Sequence, residues 1–376
     1  MKILMVSIPS LHFFRWTNQL QDSGHEVYWF DITGMSKNVE KIHWVSQKAN
    51  WKMRWDFPGR IALKARFPKV YNGVQRINEK NTAKVFEEYL QQIQPDVVHS
   101  FALYLSCTPI FSVMEKYDKL KWIYSSWGSD LFYFQNEARY LRDIKKILPR
   151  INFLFTDCYR DFQIAERYGF NGHFLGVFPG PGGIDIKEIE KFKLSKEERD
   201  TILIKGFQGR SGRVIPVLKA LEPLKQKLQN LKIIVFGSDA ETFDYLNKSS
   251  LKEWNNFKII GKINQIEVFK LMGRSLIYIG NSNSDGIPNT LLEAISMGVY
   301  PIQSNPGKAT EEVIHNETQG LLIENCEDTN EIQRKIENGL SLVFKIDYNF
   351  KEILEKIEYN YVKNKVLEQY NKVLFP

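Results

Sequence analysis

Short apolar runs that read as strands recur along the whole chain, most of them followed by amphipathic stretches. They fall at Lys2–Ile8, His25–Phe30, Ile42–Val45, Asp96–Phe101, Lys121–Ser125, Phe153–Thr156 and His173–Val177. A second series occupies Ile202–Gly206, Lys232–Gly237, Phe257–Gly261, Ser275–Gly280, Val299–Gln303 and Gly320–Ile323. Strands that alternate with helices predict an α/β fold with parallel, doubly wound sheets. Between the two series lies the densest Gly/Pro cluster of the chain, Phe178-Pro-Gly-Pro-Gly-Gly-Ile184, which reads as a linker. A length of 376 residues exceeds one ordinary core, so two domains are expected. We place them at 1–180 and 181–355, followed by a terminal helix over 356–376 with Ile357, Tyr361, Val366, Tyr370 and Val373 at helical spacing. Two Rossmann-like units facing each other would leave a crevice at the carboxyl ends of both sheets, where α/β folds bind ligands.

Composition narrows the class. Hydrophobic content of 43% and charged content of 25% describe a folded domain rather than a disordered or fibrous one. Three widely spaced cysteines, Cys107, Cys158 and Cys326, argue for a reducing compartment and against a disulfide framework or zinc site. The amino terminus lacks the apolar run of a signal peptide, and no window is apolar enough to span a membrane. A cytoplasmic location follows as an expectation.

The net charge of +7 is concentrated. Residues 41–84 carry eleven Lys and Arg against two acids, Asp56 and Glu79, a local +9, so the other residues together carry −2. Here Trp51-Lys-Met-Arg-Trp-Asp-Phe57 and Arg60-Ile-Ala-Leu-Lys-Ala-Arg-Phe67 interleave basic with aromatic and aliphatic side chains. That pattern suits an anionic membrane surface; the alternative is a solvated basic helix face. No nucleic-acid-binding module accompanies the charge, so a nucleic-acid partner is not expected. The first strand ends in Ile8-Pro-Ser-Leu-His12 rather than G-x-G-x-x-G, which removes direct support for dinucleotide chemistry.

The stretch Ser282–Met297 concentrates candidate chemistry. The apolar run Ser275–Gly280 leads into a polar loop with Gly286 and Pro288, and helical spacing begins at Leu291, Leu292 and Ile295. A helix starting just past a strand's carboxyl end turns unpaired N–H groups and a positive dipole end toward the crevice, a ready phosphate site. Asp285 and Glu293 flank that start, with Ile287, Asn289 and Thr290 between them. Taken singly, Asp285 reads first as a turn or cap residue and Glu293 as a complement to the dipole. Together, carboxylates beside a diphosphate site can accept hydrogen bonds from sugar hydroxyls.

Asp285-Gly-Ile-Pro-Asn-Thr-Leu-Leu-Glu-Ala294 resembles the E-G-x-G-x-x-x-x-E-A signature of the retaining glycosyltransferases of family 4, the "glycosyl transferases group 1", with Asp replacing the first Glu. The resemblance implies the GT-B fold, two Rossmann-like doubly wound domains facing a central cleft, with the terminal helix returning to the first domain. It implies that Asp285 contacts the donor sugar and Glu293 the ribose, while Gly286, Ile287, Pro288, Asn289 and Thr290 line the donor site. The loop Lys205-Gly-Phe-Gln-Gly-Arg-Ser-Gly-Arg213 is similar to the family's G-R-x-x-x-x-K-G loop; Phe207 stands at the Arg position, and Arg210 and Arg213 are the candidates for the diphosphate.

In the first half, Pro95-Asp-Val-Val-His-Ser-Phe101 resembles the family's P-D-[VI]-V-H-x-H. His99 is a catalytic candidate there, or a satisfied core residue. Ser125-Ser-Trp-Gly-Ser-Asp130 resembles H-G-x-D, making Asp130 a catalytic candidate, or a helix cap, and Trp127 an acceptor-side stacking surface. His12 either faces the acceptor or is an ordinary surface residue. The implied activity is retaining transfer of a hexosyl group from a nucleotide-diphosphate sugar to a lipid-linked or cell-surface polysaccharide acceptor, such as lipopolysaccharide or capsule. The leaving phosphate would serve as base, with no metal and no further cofactor expected, and the enzyme would be peripheral on the inner membrane face. The alternatives are a nucleotide-sugar or glycan-binding protein without turnover, and a soluble glycosyltransferase with a small acceptor.

Overall fold

In the computed structural model residues 1–374 are described; positions 375 and 376 of the terminal segment drawn at 356–376 lie outside the described residues. The chain divides into two compact units, one of residues 1–157, 161–182 and 363–376, the other of 158–160 and 183–362. The crossover at Gly182–Gly183 falls inside the Gly/Pro cluster.

The first unit holds seven strands: β1 Lys2–Ser7, β2 Glu26–Asp31, β3 Ser46–Lys48, β4 Val97–Phe101, β5 Lys121–Ser125, β6 Phe153–Thr156 and β7 His173–Val177. They form one parallel sheet in the order β3-β2-β1-β4-β5-β6-β7. The order reverses between β1 and β4, where Ile3 pairs with Val97 and Val6 with Ser100. The central strand β4 is buried at every position, as a sheet covered on both faces requires. Helix Thr82–Ile93 illustrates how the cover forms. Asn81 caps it by accepting from Lys84 N at 3.0 Å, and Val85, Phe86, Tyr89, Leu90 and Ile93 recur on one face and are buried. Each such side chain contributes roughly 1.5–3 kcal/mol of hydrophobic stabilisation.

One expected strand is corrected. Ile42 ends a helical turn, Glu40–Ile42, and the edge strand is the polar Ser46–Lys48 that follows, Tyr28 pairing with Ser46. Ile42 and Val45 are buried as packing residues, and the Gln47 amide donates to Val39 O at 3.0 Å and Ile42 O at 2.9 Å, holding that turn.

The second unit holds six strands: β8 Thr201–Lys205, β9 Lys232–Phe236, β10 Phe257–Ile259, β11 Ser275–Gly280, β12 Tyr300–Ser304 and β13 Leu321–Ile323. Its sheet is also parallel, ordered β10-β9-β8-β11-β12-β13, so the reversal lies between β8 and β11. Strand β11 is buried throughout. Among the described residues no helix is long and apolar enough to cross a membrane.

Candidate active site

In the second unit the loops leaving β8 and β11 meet at the reversal of strand order, the position where open α/β sheets bind ligands. They are stitched together by backbone: Arg213 N donates to Asn281 O at 2.9 Å and Asn283 N to Ser211 O at 2.9 Å. Ser282 N donates to Ser304 Oγ at 2.8 Å, which ties in the end of β12. Small residues are required at this junction. A Cβ on Gly212 would lie 2.3 Å from Phe207 O, and one on Gly280 would lie 2.1 Å from Gln303 Oε1.

The pocket so formed is lined by Lys205, Tyr278, Ser282, Asp285, Pro288 and Gln303, with Phe207 and the Ser211–Gly212 backbone at its rim. Asp285 is half-buried, and its Oδ1 accepts from Gly286 N at 3.0 Å. Pro288 occupies the N-cap of helix Asn289–Ser296 and supplies no capping side chain. Ile287 packs against the core below, and Thr290 Oγ1 accepts from Tyr278 OH at 2.9 Å. Glu293 is 4% exposed, and its Oε1 accepts from Gln265 Nε2 at 2.6 Å and Asn289 Nδ2 at 2.7 Å. Two amide donors therefore fix one carboxylate oxygen of Glu293.

Four buried amide oxygens around these loops have no hydrogen-bond partner among the described residues: Asn281 Oδ1, Asn283 Oδ1, Asn289 Oδ1 and Gln303 Oε1. The Asn281 assignment is settled by its Nδ2, which donates to Arg213 O and Cys326 O, both at 2.8 Å. Leaving a buried acceptor unpaired costs about 1–3 kcal/mol. Clustered at one sheet edge, such acceptors suit a ligand rich in hydroxyl and N–H donors.

The two candidate arginines stand differently. Arg210 is exposed. The Arg213 guanidinium is already engaged, tied to its own loop and to the segment after β13: Nε donates to Glu327 Oε1 at 2.5 Å, and Nη1 to Gly212 O at 2.8 Å and to Gly209 O. In this arrangement Arg213 rigidifies the loop, and the cation lining the pocket is Lys205, at the end of β8. Its ammonium makes no hydrogen bond or ion pair with the described residues. Lys205, Gln265 and Gln303 were not singled out from sequence. Lys205 ends a strand and was legible as a pocket cation; the two glutamines carry no motif.

In the first unit His99 lies at the core of the sheet rather than on a surface. It is fully buried, and burial holds its pKa well below the ordinary value, so the ring is neutral. Its Nδ1 meets Tyr370 OH at 2.6 Å and its Nε2 meets Ser125 Oγ at 2.8 Å. Trp16 Nε1 donates to Tyr370 OH at 3.1 Å. The Tyr370 proton then goes to Nδ1, and Nε2 carries the ring proton toward Ser125. Phe101 stacks on His99 with ring centroids 4.1 Å apart.

Asp130 is likewise buried, 3% exposed, where its Oδ2 accepts from Leu103 N at 2.6 Å and from Tyr124 OH. Its Oδ1 has no partner among the described residues, and burial pushes its pKa up to about 7. His12 is exposed on helix Leu11–Asn18, which Ser10 caps by accepting from Phe13 N at 3.2 Å. Trp127 stands beside it, ring centroids 6.2 Å apart, over Phe101 at 5.2 Å. The first unit thus brings His12 and Trp127 together as an aromatic shelf, and keeps His99 and Asp130 in the interior.

Two parallel sheets of seven and six strands with interleaved helices define the GT-B architecture. Residues 185–352 match the sequence profile of the family described as glycosyl transferases group 1. A sucrose-phosphate synthase from Thermosynechococcus elongatus shares the fold with a TM-score of 0.73 at 15% identity, covering 100% of this chain and 99% of that one. An Anabaena protein solved with UDP and glucose matches with a TM-score of 0.67 at 12% identity, over 99% of this chain and 100% of its own. A lipopolysaccharide outer core galactosyltransferase matches with a TM-score of 0.66 at 14% identity, over 100% and 99%. No protein of curated function matches the chain by sequence. The structural likeness shows the GT-B fold, and the profile match relates residues 185–352, within the second unit, to the glycosyl transferases group 1.

Proposed function

We propose that the chain transfers a hexosyl group, with retention of anomeric configuration, from a nucleotide-diphosphate sugar to a lipid-linked or cell-surface polysaccharide acceptor. The observation that carries the donor class is the pocket between β8 and β11, where Lys205, Asp285 and unpartnered amide oxygens converge beside an uncapped helix start. Lys205 and the helix start meet a diphosphate, with Arg210 at the rim; Asp285 and Gln303 meet the sugar hydroxyls. Glu293, aimed by Gln265 and Asn289, meets the ribose. Donors placed at the departing phosphate stabilise charge that develops as the anomeric bond breaks, an effect that commonly contributes several kcal/mol. The Anabaena neighbour solved with UDP and glucose supports this ligand class. His12 and Trp127 supply the acceptor shelf. His99 and Asp130 support that shelf from within.

The acceptor class rests on residues 41–84. Helices Arg60–Arg66 and Pro68–Asn78 leave Ile61, Phe67, Val70 and Ile77 exposed among Lys64, Arg66 and Lys69, a surface that fits an anionic bilayer. The protein would then work peripherally on the inner membrane face.

An NMR time course with UDP-, GDP- and other nucleotide-activated sugars tests the reading. Slow release of nucleotide from one donor, with the freed sugar first in the donor's anomeric configuration and the activity lost in Glu293→Ala, is the expected result. Nucleotide-dependent stabilisation without cleavage of any donor would replace it with a binding protein lacking turnover. Release with inversion would reject the retaining mechanism.

A further inference from the structure

A second pocket lies in the second unit at the opposite edge of its sheet, by the amino ends of β8, β11 and β12, away from the donor loops. Its walls come from the segment 193–199, from Gly298 and from the segment 347–355. Four cations line it, Lys193, Lys196, Arg199 and Lys351, against two carboxylates, Asp347 and Glu355.

Arg199 fixes the floor. It is 7% exposed, and all its hydrogen bonds go to backbone carbonyls: Nε and Nη2 to Leu194 O, Nη1 to Ser275 O and Gly298 O, and Nη2 to Met297 O. No carboxylate neutralises it. Lys193 is set over the same point. A Cβ built on Gly298 would lie 3.0 Å from Lys193 Nζ and 3.7 Å from Arg199 Nη2. The Lys193 ammonium makes no hydrogen bond or ion pair with the described residues. Burial, and next the Arg199 charge, lower its pKa; Glu190 offsets this in part. Two cations held together without an anion between them are in an unfavourable arrangement that a bound anion relieves.

The other wall is apolar. Tyr348 and Leu354 are half-buried, Phe350 is buried and Leu194 is 40% exposed. Lys196 Nζ sits 4.5 Å from the Tyr348 ring centroid while donating to Ile346 O at 3.3 Å, so a third cation is anchored to the aromatic wall. A charged floor beside a flat apolar wall selects a ligand with both characters.

We propose that this pocket is a second ligand site, distinct from the donor site, that takes a small organic anion: a phosphate or carboxylate group over Lys193 and Arg199, and a flat apolar body against Tyr348 and Leu354. The inference stands independently of the transfer reaction.

Calorimetric titration of the full chain with phenyl phosphate tests it. Saturable binding is expected in the unaltered protein and in Lys205→Met, which weakens the donor pocket alone. In Lys193→Gln/Lys351→Gln, both surface substitutions that leave the fold intact by circular dichroism, affinity should fall about ten-fold or more. Tyr348→Leu should lower affinity for phenyl phosphate while leaving that for inorganic phosphate unchanged. The proposal is overturned by unchanged affinity in the double variant, by loss of binding in Lys205→Met, or by no binding in the unaltered protein at about 10 mM ligand.

Discussion

Asp130 stands in an environment that moves its carboxyl far from its ordinary chemistry. Its carboxyl is buried with one oxygen unpaired, and burial raises its pKa from 3.8 to about 7, even though Tyr124 and Leu103 N donate to it and oppose the rise. The unfolded chain releases this proton near pH 4, whereas the folded protein keeps it until about pH 7. Between those values the folded state binds more protons, so the contribution of Asp130 is full below pH 4 and is lost as pH rises through about 7. Asp130→Asn keeps an acceptor for Leu103 N and removes the titration. Unfolding free energies from urea titrations between pH 5 and pH 8 should therefore fall more steeply for the unaltered protein than for Asp130→Asn, by a difference on the order of 2–4 kcal/mol. Parallel profiles would show that the carboxyl ionises normally in the folded state.

At the level of elements, the terminal helix Tyr359–Leu374 contributes its last turns to the first unit, and Tyr370 is the reason a polar group can be buried there. Its hydroxyl accepts from Trp16 Nε1 and donates to His99 Nδ1. Tyr370→Phe leaves both partners unpaired in a dry interior, and a loss of about 2–4 kcal/mol in denaturant unfolding of the first unit is expected. A smaller effect than that of a surface tyrosine substitution would mean the network is not formed. The two sheets were legible in the sequence, because buried parallel strands read as short apolar runs such as Ile3–Val6 and Leu276–Ile279. The edge strand Ser46–Lys48 was not, since a polar three-residue edge carries no such signal. Asp285, Pro288 and Glu293 were legible as a motif and lie on one loop and helix start. The partners that aim them were hidden: Gln265 precedes Glu293 by 28 residues and meets it only through the fold. His99 shows the converse, a motif residue whose two nitrogens are both occupied in the core.

For the molecule as a whole the decisive property is the uneven charge, a local +9 over residues 41–84 in a chain of net +7. The structure separates the cations of that segment into two kinds. Lys52 is bonded to Thr82 Oγ1 at 3.0 Å and lies 3.6 Å from Glu79, and Arg60 lies 3.4 Å from Asp56, so both are already paired. Lys64, Arg66 and Lys69 are exposed beside Ile61, Phe67 and Val70. Each cation near an anionic bilayer contributes about 1 kcal/mol, so replacing all three by Gln should weaken association by roughly 100-fold. Flotation with vesicles containing phosphatidylserine should carry the unaltered protein upward at low salt, leave the triple variant at the bottom, and lose the difference at about 1 M salt, where the screening length is roughly 3 Å. Ile61→Ser/Phe67→Ser should weaken flotation equally at both salt concentrations, because apolar insertion is not screened. If the triple variant floats as well as the unaltered protein, the basic face is merely solvated, and the acceptor is then a small molecule met in solution.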